Sequence, residues 1–201
     1  MSRGKLYIIS GPSGSGKDTV LSEVFKICPE IEFSISSVTR DMREGEVEGQ
    51  KYNFISREQF EAMIAADELL EHNVFVGNYY GTPKAPVEKC LNDGKDMIVE
   101  IDVNGAAQIR EKMPDAISIF IMPPSLEVLK SRLSGRGTED IDVVEKRSKI
   151  ALEEISRAIE YDYIVVNDKL EYAVSDFITV IKSERLRTER CAHIINNVLG
   201  K

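Results

Sequence analysis

Two rhythms of apolar and polar positions run along this chain. Residues 6–10 form a short apolar run that stops at Gly11, which predicts a buried strand. After a Gly-rich turn, residues 18–28 carry Val20, Leu21, Val24 and Phe25 at helical spacing. Strand, Gly-rich turn and helix in that order open a βαβ unit. The apolar runs 97–101 and 117–122 have the character of central strands, and 163–166 predicts a last one. Helices are predicted between and after them. One covers 86–92, with Pro86 early and Gly94 past its end. Others cover 106–112, a segment capped by Ser125 that ends near Ser134, 138 to about 161, and 170 to about 190.

Residues 34–86 break this alternation. Positions 32–39 alternate polar and apolar residues, and 41–51 are charged, Gly-bearing and poor in apolar residues, which predicts a mobile loop. Residues 52–55 predict a strand. Ser56 and Gln59 form a capping-box pattern for a helix through Ala66. Residues 74–80 predict one more strand, ended by Gly81-Thr82-Pro83. Short strands with a single helix, set within a βα pattern, predict an insertion.

Composition narrows the classes. With 201 residues, 42% hydrophobic and 30% charged, the chain is globular and large enough for a core of its own. The net charge of −8 argues against a long polyanion as partner, so no nucleic acid is expected; a small anion needs only a few local cations. The three cysteines, Cys28, Cys90 and Cys191, are far apart and outside metal-ligand spacing, which predicts inert thiols. No signal peptide or spanning segment is expected, and no membrane partner. A reducing, cytoplasmic setting follows as the simplest expectation.

The strongest motif is Gly11-Pro12-Ser13-Gly14-Ser15-Gly16-Lys17, a G-x-x-x-x-G-K pattern after a strand and before a helix. Glycines let backbone N–H groups curl around phosphate oxygens, and the helix N-terminus adds partial positive charge. Lys17 supplies a point charge to the β and γ phosphates. The residue after the lysine is Asp18, with Thr19 next, where Ser or Thr is usual. A carboxylate beside a polyphosphate is repulsive unless a cation lies between. Either Asp18 or Thr19 therefore reaches Mg²⁺, directly or through water, or Asp18 only complements the helix dipole. Arg40 and Arg43, three apart, offer two guanidinium forks suited to a phosphate dianion, with Glu46 and Tyr52 beyond them. Glu100 and Asp102 close the strand predicted at 97–101, where ligands bind in parallel sheets.

Read in series, the phosphate loop, Ser37-Val38-Thr39-Arg40-Asp41-Met42-Arg43-Glu44-Gly45-Glu46, Gly77-Asn78-Tyr79-Tyr80-Gly81-Thr82, Glu100-Ile101-Asp102-Val103-Asn104-Gly105 and Gly135-Arg136-Gly137-Thr138-Glu139 resemble guanylate kinase over about residues 5–185. The resemblance implies ATP and GMP as substrates, Mg²⁺ with the ATP, and an ATP site of Gly11 to Thr19 with Arg132, Arg136 and Asn167, Asp168 lying beside the last. It places Ser36, Arg40, Arg43, Tyr52 and Tyr80 on the GMP phosphate and ribose, with Glu46 in the same set. Glu71 and Thr82, with Ser36, read guanine, and Glu100 and Asp102 lie near GMP and the metal, Asp102 as a candidate metal ligand. Catalytic charge comes from Lys17, Arg43, Arg136 and Arg147. Guanine presents N1–H and a 2-amino group, two donors that one carboxylate accepts together, and a site built this way rejects a base lacking the pair by roughly 10⁴-fold.

The expected fold is α/β: a P-loop NTPase core with a parallel sheet flanked by helices, a mixed α/β GMP-binding insertion and a small helical lid. The core takes residues 1–33, 87–124 and 150–201, the insertion 34–86 and the lid 125–149. The expected reaction is direct in-line transfer with no protein nucleophile, His72 and His193 being isolated. Three other readings compete: a non-catalytic module of the same fold that binds phosphopeptides, a kinase for another monophosphate such as AMP or dTMP, and a GTPase switch. The last lacks a matching guanine-specificity motif.

Overall fold

The computed structural model of the chain describes residues 3–134 and 141–200. Along the chain run β1 (Leu6–Ser10), α1 (Lys17–Ile27), β2 (Glu32–Phe33), β3 (Ser36–Val38), β4 (Tyr52–Phe54), α2 (Arg57–Ala65), β5 (Leu69–Phe75), β6 (Asn78–Pro83) and α3 (Lys84–Asn92). After them come β7 (Met97–Glu100), α4 (Val103–Lys112), β8 (Ile117–Met122), α5 (Leu126–Leu133), α6 (Ile141–Ser156), β9 (Tyr163–Val166), α7 (Leu170–Arg185) and α8 (Thr188–Leu199). The protein is an α/β fold with a parallel sheet flanked by helices. Two compact units divide it: one is principally Ile9–Glu30 with Ser118–Lys201, the other Gly4–Ile8 with Ile31–Ile117.

In the first unit the end of β1 is followed by β8 and β9, the latter two parallel, with Ile119 opposite Tyr163 and Met122 opposite Val166. The core is built from buried Ile119, Phe120 and Ile121 on β8 with Phe177 and Ile181 on α7. Phe120 meets Tyr161 edge-on at 5.2 Å. Helix α1 buries Val20, Leu21 and Val24, one stripe of a 3.6-residue period. Asp162 fixes the start of β9: its Oδ2 accepts from the Ser118 N–H at 2.8 Å and the Ser118 hydroxyl at 2.7 Å.

In the second unit β2, β7 and the front of β1 lie side by side, β2 and β7 parallel. A separate four-stranded sheet has the order β4-β3-β6-β5, with β3 and β4 parallel and the other pairs antiparallel. Helix α2 starts in the predicted capping box: the Ser56 hydroxyl accepts from the Gln59 N–H, and the Gln59 side chain accepts from the Ser56 N–H. Its Phe60 is fully buried and stacks on Tyr79 at 5.1 Å.

Several sequence expectations need correction. The alternation at 32–39 splits into β2 and β3, which join different sheets. The strand predicted at 74–80 is instead a hairpin of β5 and β6. Val76 (φ 49°) and Gly77 (φ 76°) form its two-residue turn, the geometry that matches strand twist. Val76 hid this turn, because a β-branched residue is a poor occupant of positive φ. Helix α3 begins at Lys84, and α4 begins at Val103, not 106. The long helix expected from 138 is α6 followed by a 3₁₀ turn, Arg157–Glu160; residues 138–140 lie outside the described residues. The helix expected over 170–190 ends at Arg185, and α8 follows. No Gly or Pro marks that break. Buried Glu184 accepts from the Tyr163 hydroxyl and pairs with Arg187, three residues on, at 2.6 Å, contacts that lie at the break. Among the described residues no helix is long and apolar enough to cross a membrane.

Phe60 is the apolar anchor of α2 on the four-stranded sheet. Phe60→Ala is expected to lower stability by about 3–5 kcal/mol, read from urea unfolding midpoints at constant slope.

Candidate functional site

In the first unit the chain leaves β1 through Gly11 and enters α1 through Gly16. Gly16 caps α1 in the left-handed region (φ 87°, ψ 26°). A Cβ there meets Asn167 Nδ2 at 2.4 Å, and one on Gly11 meets the Ile121 carbonyl oxygen at 2.3 Å. Both positions therefore require glycine for space as well as for conformation. Asn167 is 6% exposed, and its Nδ2 donates to the Ser15 carbonyl at 2.8 Å. Arg132 donates to the same carbonyl at 3.4 Å and to the Asn167 carbonyl at 3.0 Å. Trans peptide geometry sets the C=O of Ser15 and the N–H of Gly16 in opposite directions. Fixing that carbonyl therefore aims the Gly16 amide the other way, as an anion-binding loop needs.

Lys17 Nζ donates to the Gly11 carbonyl at 2.7 Å and the Pro12 carbonyl at 3.3 Å, so the ammonium lies across the loop it belongs to. The Ser15 N–H donates to the Pro12 carbonyl at 3.0 Å and closes the turn. Arg147, on α6, donates to the Ser13 hydroxyl at 2.8 Å. Gly14 packs against the loop's support: a Cβ there stands 3.1–3.2 Å from Leu133 and Leu129 of α5. Asp18 and Thr19 are exposed on the first turn of α1. Two sequence assignments take a different shape here. Asn167 and Arg132, assigned to ATP, hold the loop backbone through Ser15. Arg136 and the rest of 135–140 lie outside the described residues.

In the second unit β3 and β4 set Ser36 opposite Tyr52. Just past β3, the Arg40 guanidinium stacks over Tyr52 at 5.1 Å and Phe54 at 5.4 Å. Tyr80 on β6 meets the Tyr52 ring edge-on at 6.3 Å. Phe54, absent from the sequence assignments, was legible in principle, since residues two apart on a strand share a face. Glu46 closes on Arg40 with both oxygens, at 2.7 and 2.6 Å, and accepts the Arg43 N–H at 2.8 Å. This fork holds the Glu46 carboxyl down at about 2 and raises Arg40 further. The Arg43 side chain is exposed. Lys51 pairs with Glu100 at 3.2 Å.

Glu71 lies on β5 and is 4% exposed. The Thr82 hydroxyl, from β6, donates to its Oε1 at 2.7 Å. Burial pushes the Glu71 carboxyl up to about 7; the Thr82 bond opposes the rise, and the Asp102 charge adds to it. Asp102 does not continue β7 as expected, because it is the N-cap of α4. Its Oδ1 accepts the N–H groups of Asn104 and Gly105 at 2.9 and 2.8 Å, and its Oδ2 accepts from Asn73 at 2.8 Å. Asn73 was missed because nothing in its sequence neighbourhood ties it to Asp102. Among the described residues no three His, Cys, Asp or Glu side chains gather as a metal site.

A family model described as guanylate kinase matches residues 3–184. The chain is 50% identical to a guanylate kinase of Enterococcus faecalis over 189 residues, covering 94% of this chain and 93% of that one. It is 47% identical to one of Carboxydothermus hydrogenoformans over 190 residues, with 94% and 93% covered. The crystal structure of guanylate kinase from Anaplasma phagocytophilum superposes with a TM-score of 0.79 at 31% identity, covering 98% of this chain and 96% of that one.

The Asn167 bond is the loop's buried anchor. Asn167→Ala is expected to cost about 1–3 kcal/mol and to speed hydrogen exchange at the Gly16 amide, measured by urea unfolding and amide exchange of the free protein.

Proposed function

The chain belongs to the guanylate kinase family, and from that premise we propose that it transfers the γ-phosphoryl group of ATP to GMP, giving ADP and GDP. An oxygen of the GMP phosphate attacks the γ-phosphorus while the bond to the β–γ bridging oxygen of ATP breaks, and that oxygen leaves with ADP. No protein nucleophile takes part, so the protein's work is positioning and charge stabilisation.

The donor half is the loop Gly11 to Gly16 with Lys17. Its amides and the N-terminus of α1 receive the phosphates of ATP, and Lys17 exchanges its two loop carbonyls for β- and γ-phosphate oxygens. Arg147, already against Ser13, adds charge to the migrating group, as does Arg136 in the proposed lid, 125–149. Arg132 and Asn167 keep the loop open by holding Ser15. When bound with ATP, Mg²⁺ neutralises the β- and γ-phosphate oxygens. Asp18 and Thr19, hard oxygen donors exposed beside Lys17, fit such an ion as direct or water-mediated ligands; Asp102, with Oδ1 engaged in the α4 cap and Oδ2 accepting from Asn73, fits less well.

The acceptor half is the proposed insertion, 34–86. Arg40, stacked on Tyr52 and Phe54, and Arg43 take the GMP phosphate with Ser36, Tyr52 and Tyr80; Glu46 orients the Arg40 guanidinium and holds the Arg43 backbone N–H. Glu100 and Asp102 border the nucleoside. One observation carries the acceptor's identity: Glu71 is a buried carboxyl tied to Thr82, a shape suited to the paired donors of guanine. A cytoplasmic setting is proposed, which suits three free cysteines.

An assay with MgATP and GMP, AMP or dTMP, following ADP, tests the whole reading. Turnover is expected with GMP, and none with GMP defeats the proposal. Lys17→Ala is expected to keep its melting temperature and lose about 10²-fold or more in turnover. Glu71 gives a pH signature. Its carboxylate forms as pH rises through about 7, so kcat/KM for GMP relative to IMP is expected to rise between pH 6 and 8, and to be flat in Glu71→Gln. The ratio cancels titration of the substrate phosphate, common to both. Stability runs the other way. A carboxyl raised from 4.5 in the unfolded chain to about 7 loses stability as pH rises through that window, so Glu71→Gln gains on the parent by about 1–3 kcal/mol between pH 5 and 8 in urea titrations.

A further inference from the structure

Glu71 sits on an edge. In the four-stranded sheet β5 is the outermost strand, and a register shift between Leu69 and Glu71 marks a bulge just before the carboxyl. Bulges re-aim side chains, and edge strands have unpaired peptide groups on their open side. One stripe of α4 answers those groups. Asp102, Gly105, Gln108 and Lys112 follow one another at intervals of three, three and four, which places them on a single helix face. Lys112 Nζ donates to the Leu69 carbonyl at 2.9 Å. The Gln108 carboxamide accepts the His72 N–H at 3.1 Å and donates to the His72 carbonyl at 3.0 Å, pairing with that residue as a neighbouring strand does. Asp102 accepts from Asn73 at 2.8 Å. The residues on both sides of Glu71 are thus held by the helix.

Gly105 stands at the middle of that stripe. It is buried in the first turn of α4, where its N–H is held by the Asp102 cap. Its φ is not among the positive values, so conformation does not demand glycine. Space does: a Cβ there comes within 2.7 Å of Glu71 Oε2 and 3.1 Å of Glu71 Cδ. The atoms met are the far end of a side chain, so an added methyl displaces the carboxyl and leaves the helix in place.

We infer that Gly105 and Gln108 are positioning residues for acceptor specificity: α4 clamps the bulged edge strand and leaves a one-methyl gap that sets where the Glu71 carboxyl stands. The inference rests on the reading of Glu71 as the guanine acceptor. It extends that reading to residues that touch no substrate themselves.

The test uses the full-length enzyme with MgATP and either GMP or IMP, whose base keeps N1–H and lacks the 2-amino group. Gly105→Ala is expected to melt no earlier than the parent, yet to lower the GMP/IMP ratio of kcat/KM about tenfold or more, through KM for GMP. Adding Glu71→Asp, whose shorter side chain draws the carboxyl back from the new methyl, is expected to recover part of the ratio. A general disturbance of the helix is not repaired that way. Gln108→Leu is expected to lower the ratio severalfold in the same direction. It carries the test alone should Gly105→Ala not fold. If Glu71→Gln leaves the ratio unchanged, the reading of Glu71 fails and the inference with it. If Glu71→Gln collapses the ratio while Gly105→Ala and Gln108→Leu keep it, the base reading stands and the positioning role is overturned.

Discussion

A carboxyl group buried as deeply as Glu71 must be given hydrogen-bond donors or take a proton. Much of the second unit is arranged around that demand. Thr82 supplies one donor from β6. The bulge before Glu71 turns the side chain inward, and α4 covers the edge that carries it. On the proposed reading, the carboxyl keeps acceptor capacity beyond Thr82 for a ligand that brings its own donors. On that reading guanine brings two, and discrimination follows from leaving the acid less satisfied when they are missing.

The first unit solves the complementary problem of receiving negative charge. There the work is done by backbone rather than by acids and bases. Asn167 and Arg132 turn one carbonyl outward so that amides face inward, and glycines at 11 and 16 let β8 and Asn167 approach the loop. Lys17, meanwhile, lies against carbonyls of its own loop. On the proposed reading, phosphate oxygens arriving in the loop replace those carbonyls.

What could be read from the sequence follows from how local each signal is. The phosphate loop, the Ser56 capping box and the apolar strands are written within a few consecutive residues, and the structure has them where spacing put them. Glu71 was readable only through resemblance, because nothing beside it shows that it faces inward from a bulged strand. The β5–β6 turn was hidden by Val76, which stands where Asn or Gly is the usual occupant. The break before α8 was hidden because Glu184, Tyr163 and Arg187 meet only in the fold. Asn167 and Arg132, which the resemblance assigns to ATP, meet the loop backbone at Ser15, a contact made between residues far apart in the sequence. Gly105 had a signal that could have been used: glycine inside a helix without a turn to justify it asks what comes close.

Arg40 enters the resting protein already matched. Its two terminal nitrogens are taken by Glu46, and that carboxylate stays ionised down to about pH 2. On the proposed reading, the acceptor phosphate therefore competes with a tethered rival instead of filling a bare positive hole. What is gained is the difference between two pairings, not the whole of one. On that reading a singly charged anion has little advantage over the rival, whereas a doubly charged phosphate has more. The chain thus carries its own place-holder, which raises the threshold for occupancy and keeps the guanidinium aligned on its aromatic platform while it waits.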